Sequence, residues 1–187
     1  VATDDARIEA AVRQFGGQAR MTSRAHQTGT DRLAEVARTL DADIVVNVQG
    51  DEPLIQPDMI EQAIRPLLED SDVSIGTLKH KIMTPDELFT PNVVKVITPP
   101  PGRALSFSRS PIPFINGKEM RRDGFAAFDF YRHVGLYAYR RDFLLNFTTL
   151  PQTPLELADG SEQLRALEHC CAIHVVETRH ESHGVDT

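Results

Sequence analysis

The sequence predicts an α/β fold, a mainly parallel sheet flanked by helices, and three observations predict it. Apolar residues recur at helical spacing in several segments, short β-branched or alternating runs lie between them, and the two patterns take turns along the chain. No internal repeat or low-complexity tract breaks that alternation. With 187 residues, 41% of them hydrophobic, we expect one core and one domain over residues 1–187.

Taken in order, Thr3 is placed to cap a first helix carrying Ile8, Ala11, Val12 and Phe15, which Gly16-Gly17 can end in a left-handed turn. A second helix runs from about Thr30, with Leu33, Val36, Ala37 and Leu40 on one face. Ile44-Val45-Val46 is an unbroken β-branched run, the pattern of a strand covered on both faces, closed by Gly50 and Pro53. Pro57 suits the first turn of a third helix bearing Ile60, Ala63, Ile64, Leu67 and Leu68, and Pro66 should kink or end it.

Residues 73–78 and 93–97 read as strands, and the Pro99-Pro100-Pro101-Gly102 turn leads to another ending at Phe107. Regularity then disappears over residues 108–132, and a loop of that length in a compact domain is as a rule functional or mobile. Residues 134–139 alternate as a strand, Arg141 to Phe147 reads as a helix, and Ser161 can cap a helix carrying Leu164, Leu167 and Cys171. Residues 172–177 make a final strand. We expect the segment from about 98 to 140 to form a small antiparallel insertion.

The balance of 27 acidic against 20 basic residues, a formal charge of -7, opposes nucleic acid as the main partner, although a few aimed Arg and Lys side chains can reverse the field at a site. Cys170 and Cys171 are adjacent, so no disulfide framework is implied, and their spacing carries no metal pattern. No run approaches the roughly 20 apolar residues of a membrane span, and no signal pattern opens the chain. A cytoplasmic protein is expected.

Ligands of open α/β sheets bind beyond the carboxyl ends of strands, where Gln49-Gly50-Asp51-Glu52 falls. A hard carboxylate at Asp51, behind a glycine that admits a ligand to the backbone, suits Mg²⁺ shared with phosphate oxygens. A solvated Gly-Asp-Glu-Pro turn fits the spacing equally well. His133, Gly135 and Tyr137 share parity along a strand, so the gap at Gly135 between two polar groups is a floor for a polar ligand such as a sugar, or simply a sheet surface.

Glu162 and Gln163 occupy a first helical turn, where an acidic residue also favours the helix dipole. His26-Gln-Thr-Gly-Thr30 leads into a helix N-terminus, a place for a base edge or a phosphate and equally an ordinary cap. Arg109 can grip a carboxylate bidentately or stand solvated.

In this order, Arg24-Ala-His-Gln-Thr-Gly-Thr-Asp-Arg32-Leu-Ala-Glu35, Val46-Asn-Val-Gln-Gly-Asp-Glu-Pro53, Asn92-Val-Val-Lys95, Phe107-Ser-Arg109, His133-Val-Gly-Leu-Tyr137, Pro154-Leu-Glu156, Glu162-Gln-Leu-Arg165 and Gly184-Val-Asp-Thr187 resemble the 3-deoxy-manno-octulosonate cytidylyltransferases, the CMP-Kdo synthetases of lipopolysaccharide-making bacteria. The resemblance implies a nucleotide-diphospho-sugar transferase-like fold with a dimerisation insertion, and a homodimer. It also implies Mg²⁺-dependent transfer of CMP from CTP to the anomeric hydroxyl of 3-deoxy-D-manno-octulosonate (Kdo) with release of pyrophosphate, and neither nucleic acid nor membrane as a partner.

Position by position, it implies that Asp51 and Asp186 hold the metal and serve catalysis. Gln49, Arg109, His133, Tyr137, Glu162 and Gln163 match Kdo-contacting positions, with Arg109 facing the Kdo carboxylate. Arg24, His26, Thr28, Gly29 and Gly50 fall to the nucleotide side. The family opens with a strand and a Gly/Ala-Arg-x-x-Ser-x-Arg-x-Pro-Gly-Lys-like loop that grips the triphosphate, and it continues past Val-Asp-Thr with a helix. Neither lies within these 187 residues, so we expect both to belong to a longer polypeptide. A cytidylyltransferase for a sialic-acid-type keto sugar acid, and a non-catalytic nucleotide-binding fragment of the same fold, are the competing readings.

Overall fold

The computed structural model describes residues 1–181. Its chain runs through β1 (Ala2–Thr3), α1 (Ala6–Gln14), β2 (Arg20–Met21), α2 (Gly29–Ala37), β3 (Ile44–Val48), α3 (Pro57–Glu69), β4 (Ile75–Lys81), α4 (Pro85–Phe89), β5 (Lys95–Ile97) and β6 (Ser106–Ser108). A π-helical turn at Met120–Gly124 precedes β7 (Tyr131–Arg140), α5 (Arg141–Phe147), α6 (Pro154–Asp159), α7 (Gln163–Glu168) and β8 (Ile173–Glu177).

The α/β architecture stands, and the sheet is mixed. Among the described residues six strands form one sheet in which β7 pairs antiparallel with β3, β4 and β5, β6 pairs antiparallel with β5, and β4 pairs parallel with β8. It follows that β3, β4, β5 and β8 share one direction, as the alternation predicts, while β7 runs the other way between β3 and β4. Residues 131–140, expected to belong to an insertion over residues 98–140, instead form part of the main sheet. Tyr131–Arg140 is the central strand of the main sheet, because its alternation gives it two faces to bury.

Side-chain parity sorts those faces. Val134, Leu136 and Ala138 of β7 are fully buried with Leu78 against Met59, Ala63 and Leu67 of α3. On the other face Val45, Ile75, Tyr137 and Tyr139 pack with Ala34 and Ala37 of α2, Leu144 and Phe147 of α5, and Leu164 and Ala166 of α7. The β-branched run of β3 thus buries both faces, as its sequence predicts. Gly76 is where α3 comes closest to β4: a Cβ there would lie 2.1 Å from the Ala63 carbonyl oxygen.

Three local expectations are corrected. The cap of α1 is Asp5, whose carboxylate accepts from the Arg7 N–H at 2.7 Å, because Thr3 is held in β1 opposite Met21. Pro66 does not end α3. It sits buried in the last turn, where only its own N–H bond is lost and its carbonyl still accepts from Asp70 at 3.1 Å. Ser161 caps nothing with its side chain, since its hydroxyl donates to the Asp159 carboxylate at 2.5 Å. Two helices go unpredicted, α4 and α6. Each begins Thr-Pro-x-Glu, at Thr84 and at Thr153, and that capping signature with proline at the first helical position was the available signal.

Candidate active site

β3 ends at Val48, and the turn after it carries Gln49, Asp51 and Glu52 to the carboxyl end of the sheet. There they meet His133, Gly135 and Tyr137 of β7, Arg109 just beyond β6, and Glu162 and Gln163 at the start of α7. These residues, distant in sequence, line one cleft of ≈ 880 Å³. The parity expected for His133, Gly135 and Tyr137 survives a register step in β7, where Thr77 pairs with Tyr137 but Leu78 pairs with Val134. Two extra residues on β7 are an even number, so both sides of the step present the same face.

The gap at Gly135 is not left open for a ligand, as the sequence suggested. The Gln49 side chain occupies it, with Oε1 3.0 Å from where a Cβ would stand and Glu52 Oε1 at 3.5 Å. Gly135 therefore positions Gln49, and Gln49 becomes the floor.

Arg109 is anchored more firmly than a solvated arginine. Its Nε donates to Asp159 O at 2.8 Å, Nη1 to Pro91 O at 3.2 Å and Nη2 to Gly160 O at 3.5 Å, while its backbone N–H donates to the Asp159 carboxylate. A guanidinium has five N–H donors, so one on each Nη remains for a ligand carboxylate. Behind it Lys95, fully buried, donates to the carbonyls of Thr90, Val93 and Arg109 at 3.1, 2.6 and 2.5 Å. Burial pulls the Lys95 ammonium down to about 8.

His133 stacks edge-on against Phe107 and lies 5.1 Å from the Tyr137 ring. Desolvation, with Arg132 next to it, brings its pKa down to about 3, so the imidazole is neutral. Burial also pushes the Tyr137 phenol far up, with Glu162 adding to the effect.

Glu162 does not cap α7 with its side chain. Its carboxylate accepts from Thr30 at 2.6 Å and from Arg165 at 3.3 Å, and burial raises its pKa against both. Arg165 is itself buried and forked onto Glu156 at 2.8 and 2.5 Å.

The residues assigned to the nucleotide side do not line this cleft. Thr28 caps α2 by accepting from Asp31 at 3.1 Å, Gly29 opens that helix, His26 bonds Glu35, and Arg24 and Gly50 are exposed. Thr30 joins their loop to the cleft, through Glu162. Asp186 lies outside the described residues. The cleft also takes in His80, Met83 and the Glu87–Arg132 ion pair at 3.0 Å, none of them foreseen, and Asn92, which the family motifs contain but to which no site role was given. The Thr-Pro-Asp-Glu start of α4 was the one signal that could have placed Glu87.

A second opening, of ≈ 1030 Å³, lies at the other end of the sheet, around Asp43, Ser74 and Arg141. Two of its arginines reach backbone carbonyls: Arg140 donates to those of Leu67 and Val73, and Arg141 to those of Ala37 and Arg38.

Asp51 is exposed at the cleft, and no three His, Cys, Asp or Glu side chains converge as a metal cage among the described residues. Mg²⁺ in phosphate chemistry asks for only one or two carboxylates plus phosphate oxygens, so the donor set fits that ion. Among the described residues no helix is long and apolar enough to cross a membrane.

The mixed sheet has helices on both faces and a polar cleft at its strand ends. At the level of fold alone, it superposes on a Bacillus anthracis protein described as a glucose-1-phosphate thymidylyltransferase with a TM-score of 0.51 at 15% identity, covering 96% of this chain and 65% of that one. The chain belongs to the cytidylyltransferase family, whose model matches residues 1–173.

It is 60% identical to the 3-deoxy-manno-octulosonate cytidylyltransferase of Geobacter sulfurreducens, over all of this chain and 76% of that protein. It is 53% identical to that of Solibacter usitatus, over 72% of its length. A solved CMP:2-keto-3-deoxy-manno-octonic acid synthetase in complex with CTP superposes with a TM-score of 0.90 at 42% identity, over all of this chain and 74% of that one.

Proposed function

We propose that the protein transfers CMP from CTP to the anomeric hydroxyl of Kdo, releasing pyrophosphate, with Mg²⁺ held at Asp51 and Asp186. We also propose that it works in the cytoplasm as a homodimer. The observation that carries this reading is the single cleft that collects Gln49, Asp51, Arg109, His133, Tyr137, Glu162 and Gln163 from four separate parts of a chain 60% identical to a Kdo cytidylyltransferase.

In-line attack on an α-phosphate asks the protein for position and charge neutralisation more than for covalent chemistry. Arg109, held by three carbonyls, presents its two remaining N–H groups to the carboxylate of the sugar acid. Glu162, pinned by Thr30 and Arg165, accepts from a sugar hydroxyl, and the neutral Tyr137 phenol and Gln49 amide complete the polar surface. His133, with a pKa of about 3, is too weak a base to take the attacking proton, and we assign no separate general base. Bound Mg²⁺ would supply charge neutralisation at the phosphates and a lowered pKa for the sugar hydroxyl. Exposed Phe114, at 73%, and Leu105, at 65%, support the segment over residues 108–132 and its approach as the contact between copies.

The test is pyrophosphate release from CTP, Kdo and Mg²⁺ by the full-length gene product, with a sialic acid as competing substrate. We expect release with Kdo, its loss in Asp51→Ala at unchanged far-UV signal, and a Kdo KM raised by Arg109→Ala. An intact, folded protein that releases nothing with Kdo sinks the proposal.

A further inference from the structure

Thr77 lies on β4 opposite Tyr137, fully buried and outside the cleft lining. Its hydroxyl is 2.7 Å from Leu136 O, 3.4 Å from Val134 O and 3.0 Å from His133 Nε2. The register step in β7 falls here, between Thr77 and Leu78, and gathers these three groups around one side chain.

A hydroxyl has one proton and two lone pairs, and a carbonyl oxygen can only accept. The proton therefore goes to the Leu136 carbonyl, the nearer of the two, and the hydroxyl can meet His133 only as an acceptor. That requires a proton on Nε2. Desolvation keeps the ring neutral, so the lone pair must be on Nδ1, which has no hydrogen-bond partner among the described residues. With Nε2 turned to the interior, Nδ1 is the nitrogen His133 has left for a ligand in the cleft.

We infer that Thr77 is a positioning residue that locks His133 as its Nε2–H tautomer, so that Nδ1 accepts from a ligand hydroxyl and turns a carboxylate away. The inference rests on the proposed reading of this cleft and deepens it. A sugar acid has one end that can only accept and several hydroxyls that can donate. Arg109 takes the first and His133, as an acceptor, takes one of the second, which fixes the direction in which the sugar acid enters. The opposite tautomer would present a donor at Nδ1 and reward a reversed pose.

The test is long-range ¹H–¹⁵N correlation spectroscopy of the histidine-labelled full-length protein, which assigns the protonated ring nitrogen without turnover. We expect His133 to be neutral and protonated on Nε2 across the range in which an ordinary histidine titrates, about pH 5 to 8. Thr77→Val keeps the volume and removes the hydroxyl; it should release the tautomer and raise the Kdo KM roughly tenfold, the scale of one lost hydrogen bond, at unchanged kcat and CTP KM. Thr77→Ser should restore both spectrum and KM.

A proton on Nδ1 in the wild-type spectrum, or an unchanged His133 spectrum in Thr77→Val, overturns the lock, and the first of these needs no variant to fold. A lock seen by spectroscopy with an unchanged Kdo KM in Thr77→Val overturns its role in recognition. Failure of the proposed function looks different: no pyrophosphate appears with Kdo in the wild type, whatever the tautomer.

Discussion

Adding one methyl group at Gly135 separates positioning from stability. The Gly135 backbone is not among the positive-φ positions, so alanine is conformationally allowed, and a residue with a side chain gains about 0.5–1 kcal/mol over glycine inside a strand. Against that, the new Cβ would stand 3.0 Å from Gln49 Oε1, 3.5 Å from Gln49 Cδ and 3.5 Å from Glu52 Oε1. All three atoms are the far ends of side chains on the turn after β3, so the contact is relieved by rotating Gln49. Forcing a side chain off its rotamer costs about 0.5–1.5 kcal/mol, and the two effects nearly cancel.

Gly135→Ala should therefore melt within a few degrees of wild type, while Gln49 no longer reaches its place on the cleft floor. Losing one hydrogen bond to a neutral sugar hydroxyl is worth about 0.5–1.5 kcal/mol, or roughly a 2- to 12-fold rise in the Kdo KM. The assay is steady-state pyrophosphate release with Kdo varied at saturating CTP, run beside thermal melts. In a Gln49→Ala background the added methyl should do nothing further. A KM effect of Gly135→Ala that persists in that background, or a melting temperature lowered by ten degrees or more, would refute the reasoning, because the methyl would then be meeting backbone.

Three further outcomes follow from the packing. Gly76→Ala drives a Cβ to within 2.1 Å of the Ala63 carbonyl, an atom of the α3 backbone that cannot rotate away; denaturant unfolding should show a loss of about 1–3 kcal/mol or more, and a wild-type midpoint would contradict the fit of α3 on β4. Lys95→Met should strand the carbonyls of Thr90, Val93 and Arg109, lower stability by about 1–3 kcal/mol and raise the Kdo KM through Arg109, whereas unchanged Kdo dependence would show that Arg109 needs no support from behind. Burial raises the Glu156 pKa, but the Arg165 fork and the Thr153 N–H outweigh it and leave a net depression. The Glu156 contribution is thus present above the ordinary glutamate pKa and lost as pH falls through the folded value. Glu156→Gln should flatten that part of the acid limb of a stability–pH curve, and an acid limb identical to wild type would place the titrating groups elsewhere.

What the sequence made legible was whatever depends on spacing. The β-branched run Ile44-Val45-Val46 announces β3 because both its faces must be buried, and the parity of His133, Gly135 and Tyr137 survives because the irregularity in β7 is two residues, not one. Thr28 to Thr30 reads correctly as a helix start for the same reason: a cap is a local bond. The bond that gives that loop its second role is not local. Thr30 meets Glu162 across 132 residues of sequence, and Thr77 meets His133 across 56. Neither threonine differs, in its neighbours, from one that caps a turn or faces water. The sequence reading placed a void at Gly135 and the structure places Gln49 there, because a missing side chain says where space is and not which neighbour claims it. The residues gathered in the cleft are thus ones that the family pattern exposes. The groups that set their protonation and direction, Thr77, Lys95 and Thr30, come from strand order and register, and only the folded sheet brings them into reach.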